Sequence, residues 1–164
     1  EKFPIQPKNK PQNPIPEKDI IEKGGNLAFT ASMFFRNYFK YPDFLYQAKS
    51  GDRALRLFLM TNGKFHFIDK KMCAYRRHNF GLTQGGNTAT RVPFIESNID
   101  LLNNFNVYSE KKYNTLIKKE LSIMAKNYSF FTKSIHNKYT SYLTGIDFLK
   151  VVLYRIKKWF NSQK

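Results

Sequence analysis

Residues 50–78 read SGDRALRLFLMTNGKFHFIDKKMCAYRRH, and the rest of the chain is interpreted outward from them. Ser50-Gly51-Asp52 is a helix-start signal, because a Ser or Asp side chain accepts from the free amides of a first turn. Leu55, Phe58 and Leu59 then fall at i, i+3 and i+4, which predicts a helix over 53–61 with Asn62-Gly63 as a left-handed stop. Phe65 and Phe67 alternate with His66 and Ile68 as in a short strand. A second strand is expected over 72–77, beyond the turn Asp69-Lys70-Lys71.

Upstream, Leu27, Phe29, Ala31, Met33 and Phe35 share one parity and Thr30, Ser32 and Phe34 the other, which predicts a half-buried strand ending at Arg36. Five of the seven prolines lie within residues 1–16, each removing a backbone donor, so that segment reads as an extended lead-in. Downstream, Gly85-Gly86-Asn87 places a loop over 84–90. From Ser97 the spacing turns helical: Tyr113, Leu116, Ile117, Leu121, Met124, Tyr128 and Phe131 recur at three and four residues, as do Leu149, Val152, Leu153, Ile156 and Phe160. The expected fold is α+β and mainly helical, with a small mixed sheet followed by C-terminal helices. The expected divisions are a lead-in (1–19), a central unit (20–92) and a basic helical extension (93–164).

The chain has 164 residues with 16% aromatic content, enough for one packed core and too ring-rich for disorder throughout. A single cysteine, Cys73, excludes an internal disulfide and a multi-cysteine zinc site, and reads as a small core residue. The longest apolar runs fall far short of the roughly 20 residues that span a bilayer. The net charge is +16, and +10 of it lies in residues 111–164.

The ordered series Asn26 to Arg36, Ser50-Gly51-Asp52, a helix ending at Gly63, Phe67-Ile68-Asp69 and Tyr75-Arg76-Arg77-His78 resembles the acceptor half of family 2 glycosyltransferases. The resemblance covers about residues 20–84. It implies a partial GT-A fold, an inverting sugar transfer from a nucleotide-sugar donor to a hydroxyl of a glycan or lipid-linked acceptor, and a divalent metal, Mn²⁺ or Mg²⁺. It also implies a bacterial polysaccharide setting, in the cytoplasm or peripheral at the inner face of the membrane. The metal-binding Asp-x-Asp of such enzymes does not occur in this sequence, and the chain begins with Glu1. A C-terminal fragment of a longer enzyme, inactive alone, is therefore expected.

Several residues acquire roles by that resemblance. Asp52, which by itself reads as a helix cap, becomes the base that deprotonates the acceptor, a task that needs a carboxylate within hydrogen-bond reach of the acceptor oxygen. Relatives of this type often carry Glu-Asp where this chain has Gly51-Asp52. His78 becomes a metal ligand, with a surface histidine beside two arginines as the plain alternative. Arg76 or Arg77 becomes a contact to the leaving diphosphate; they alternate along the expected strand, so one of the two faces the site. Ser32 and Arg36 would line the acceptor cleft, or simply end a strand.

The final segment, 146–160, places Leu149, Val152, Leu153, Ile156 and Phe160 on one face with Lys150, Arg155, Lys157 and Lys158 around it. That pattern fits an interfacial helix on an anionic membrane surface, and equally a helix packed on its own domain. The alternative function is a non-catalytic module contacting anionic membrane or nucleic acid through this tail. Nucleic acid is the weaker partner, because the rings over 111–142 recur at core-like helical spacing and no RNA-binding signature accompanies them.

Overall fold

The computed structural model describes residues 12–23, 32–70, 88–134 and 136–161. Its elements are α1 (Glu17–Lys23), α2 (Asp43–Gln47), α3 (Gly51–Asn62), α4 (Thr88–Tyr108), α5 (Asn114–Thr132) and α6 (Gly145–Asn161), with a 3₁₀ turn at Thr140–Tyr142. The molecule is mainly helical, as the long periodic segments require.

The helix α3 spans the expected residues with one turn more, but its end differs. Gly63 is extended, at φ 179°, and not left-handed. Thr61 Oγ1 and Asn62 Nδ2 both donate to the Phe58 carbonyl, at 2.7 and 2.9 Å. Both side chains fold back onto the last turn and add to the carbonyl that already accepts within the helix. The chain then leaves straight into the pairing of Phe65 with Ile15.

The small mixed sheet is not found among the described residues. Its single remnant is an antiparallel bridge between Ile15 and Phe65, with Ile15 N donating to Phe65 O at 2.8 Å. Asn13 extends the bridge by accepting from Phe67 N at 2.6 Å and donating to Phe67 O at 2.9 Å. The described part of the strand expected to end at Arg36 forms no ladder: Phe34 and Phe35 are exposed. Alternation marks sides, and a side with no partner to pack against gives no strand. The strand expected over 72–77 lies outside the described residues.

Helix α4 begins at Thr88, earlier than the expected start at Ser97, and carries Pro93 within it. Glu110 and Lys111 turn left-handed after it, and Lys111 N reaches the Asn106 carbonyl at 2.8 Å. This tight reversal folds α5 back along α4.

The core forms where α1, α3, α4 and α5 meet. Ile20, Ile21, Leu57, Ile99, Leu102, Phe105 and Ile117 are all within 2% of complete burial. Aromatic rings extend it outward, with Phe105 stacked on Tyr113 at 5.8 Å and Phe44 tilted against Tyr108 at 5.0 Å. Residues on both sides of position 92 share this core, and that position itself falls inside α4.

Candidate functional site

Asp52 occupies the first turn of α3, where unpaired backbone amides favour negative charge. Ser50 precedes the helix but makes no side-chain cap bond to it. Instead its hydroxyl accepts from Asn98 Nδ2 at 3.3 Å. The Asp52 carboxylate has one partner among the described residues: Arg56 Nη2 donates to Oδ2 at 3.0 Å. The Asp52 side chain is 36% exposed while that of Arg56 is 1% exposed. A buried guanidinium therefore fixes one carboxylate oxygen, and the group as a whole still reaches solvent.

Beside this pair lies a more deeply buried set that the sequence did not advertise. Arg53 Nη1 donates to Asn98 Oδ1 at 3.0 Å and Nη2 to the Ile21 carbonyl at 3.2 Å. Glu120 closes the set at 3.5 Å from Arg53 Nη2. Four helices thus meet on one side chain: α3 supplies Arg53, α1 the Ile21 carbonyl, α4 Asn98 and α5 Glu120. Burial pulls the Arg53 guanidinium below its ordinary value, with Glu120 the main opposing influence. Burial likewise pushes the Glu120 carboxyl up, and Arg53 works against it. The signal in the sequence was the spacing of Arg53, Arg56, Leu57 and Met60, a helical face on which two arginines replace apolar residues.

The residues named with Asp52 are not gathered around it. Ser32 is half-buried and Arg36 exposed on the irregular segment 32–42, and neither hydrogen-bonds nor ion-pairs with Asp52. Arg76, Arg77 and His78 lie outside the described residues. Among the described residues no three His, Cys, Asp or Glu side chains form a group able to hold a metal ion.

A polar cleft of about 440 Å³ opens between the end of α2 and α4. Gln47, Lys49, Glu96, Asp100, Asn103 and Asn104 give it a mixture of amides, carboxylates and one ammonium. Glu96 is held on its far side by Lys138 at 2.8 Å, and the hydrogen bond from that ammonium keeps its carboxyl below the usual range. Ser97 on the cleft wall accepts from Lys49 N at 3.3 Å and adjoins Asn98, so wall and arginine network share α4. Asp52 is not part of the lining. Such a surface can exchange hydrogen bonds with a hydroxyl-rich ligand, in the manner of small-molecule sites oriented by a few polar groups.

No family model, curated protein or solved structure matches the chain. Among the described residues no helix is long and apolar enough to cross a membrane.

Proposed function

We propose that this chain is the acceptor-side half of an inverting, metal-dependent family 2 glycosyltransferase, with Asp52 as the base. The observation that carries the proposal is the state of that carboxylate: placed at the start of α3, anchored through Oδ2 by a buried arginine, and one-third open to solvent. In the proposed step Oδ1 takes the proton of an acceptor hydroxyl. The acceptor oxygen forms the new bond at the anomeric carbon from the face opposite the leaving group, and the nucleoside diphosphate departs with the electron pair of the broken bond. Arg76 or Arg77 would pair with the departing diphosphate. The divalent metal, Mn²⁺ or Mg²⁺, would neutralise diphosphate charge when bound; its ligands, His78 among them, belong outside the described residues.

Donor binding would belong to a nucleotide-sugar half that is not in this sequence. The test is therefore made on the gene product containing this segment, supplied with nucleotide-sugars, a divalent metal and glycan acceptors. Proton NMR of the product is expected to show an anomeric configuration opposite to that of the donor. A retained configuration would overturn the inverting mechanism. No transfer with any donor would favour the non-catalytic binding module.

A further inference from the structure

Helix α6 is amphipathic, and it is docked the unusual way round. Its polar and small residues face the protein. Val151 is fully buried, and Asp147 turns inward to accept from Ser122 Oγ at 2.8 Å and Lys126 Nζ at 2.9 Å. Tyr154 lies against Phe130 with ring centroids 4.8 Å apart, and Arg155 donates to the Lys133 carbonyl. The apolar stripe is left outside: Ile146, Leu149, Leu153 and Ile156 are 70, 57, 56 and 47% exposed. Their spacing of three, four and three residues puts them on one line along the helix. Lys150 and Lys157 are exposed beside it.

We propose that this face of α6 seats on an anionic lipid bilayer, the four apolar side chains entering the acyl boundary and the lysines meeting the headgroups. Charge decides the occupant. The helix's one carboxylate, Asp147, is turned onto Ser122 and Lys126, with Lys150 at 3.8 Å on the same helix, so the outward charge is positive, on a chain of net charge +16. A second copy would bring like charge against like. A nucleic acid would match the lysines and leave the aliphatic stripe without a partner. A bilayer with acidic headgroups satisfies both, as interfacial helices do. Seventeen residues lying in the interface plane need not span it. The surface is independent of the role given to Asp52.

The test is co-sedimentation of the 164-residue chain with vesicles of phosphatidylcholine alone and of phosphatidylcholine with phosphatidylglycerol. The wild type is expected to partition onto the anionic vesicles. Leu149→Ser/Leu153→Ser/Ile156→Ser, which leaves the charge unchanged, is expected to reduce that partition by about tenfold or more, from lost apolar burial. Lys157→Glu should reduce it as well, through charge. The substituted positions are exposed, so far-UV circular dichroism should match the wild type. Equal binding by the triple serine variant would reduce the attraction to bulk charge and overturn the proposal, as would failure of the wild type to bind. Self-association that the serine variant abolishes, without vesicle binding, would assign the face to a second copy.

Discussion

Arg53 and Arg56 lie one turn apart on α3 and are both buried, yet they hold different things in place. Arg56 fixes Asp52, and Arg53 fixes the junction of four helices. Removing one partner of a buried ion pair leaves the other charge without compensation, which costs about 3–5 kcal/mol. Arg53→Met is therefore expected to lower the unfolding free energy by about that amount in urea titration. Arg53→Met/Glu120→Leu should recover part of the loss, because no charge is then stranded. A double variant weaker than the sum of the two single variants would show that the pair itself is not the source. This cluster was hard to read because arginine counts as polar in any hydrophobic pattern. The stripe Leu55, Phe58, Leu59 predicted the helix correctly, but Leu55 is only half-buried while Arg53, Arg56 and Leu57 line the inner face. Asp52 was legible through its place after Ser50-Gly51. Its anchor, Arg56, stands four residues on, the spacing at which an acidic and a basic side chain meet on a helix.

Helix α6 shows how an element can be legible while its orientation is not. Its aliphatic stripe and basic flanks were plain in the sequence, and a stripe is the same whether it faces a core or a membrane. What turns it outward is Asp147, whose contacts to Ser122 and Lys126 dock the opposite side on α5. The hydrogen bond from Lys126, aided by that from Ser122, holds the Asp147 carboxyl below the usual range. A depressed folded-state value means this stabilisation is complete above the ordinary aspartate range, about 3.9, and is lost as pH falls through the folded value. Thermal melts should therefore show Asp147→Asn less stable than wild type near neutrality, with the gap closing below about pH 4. A gap that persists in strong acid would contradict the ionic docking. The short helices α1 and α2 are not legible in the sequence for a different reason. At seven and five residues they carry too little periodicity to read, and tertiary contacts sustain them: in α1 Glu22 pairs with Lys119 at 2.6 Å and Glu17 accepts from Tyr113 at 2.9 Å, and in α2 the buried Phe44 lies 5.0 Å from Tyr108.

Across the whole molecule, one core joins segments far apart in sequence. Leu57 of α3, Ile20 and Ile21 of α1, Ile99, Leu102 and Phe105 of α4 and Ile117 of α5 are nearly or fully buried together. Leu57→Ala is expected to cost about 2–5 kcal/mol by opening a cavity there. Hydrogen exchange should show the buried turns of α3 and α5 losing protection by the same amount. Loss confined to α3 would mean that the core is divided. The helical class of the chain followed from its periodicities. The absence of a sheet among the described residues did not, because Phe65 and Phe67 alternate like a strand and find a single bridge to Ile15. The central claim rests on one carboxylate, and kinetics of Asp52→Asn in the gene product containing this segment address it directly. Asparagine keeps the shape and can still accept from Arg56, and circular dichroism would verify that α3 is intact. The expected result is a fall in kcat of about 10²-fold or more, the usual worth of a general base, with affinity for the nucleotide-sugar donor nearly unchanged. Turnover retained within a few-fold would contradict the assignment of Asp52 as the base.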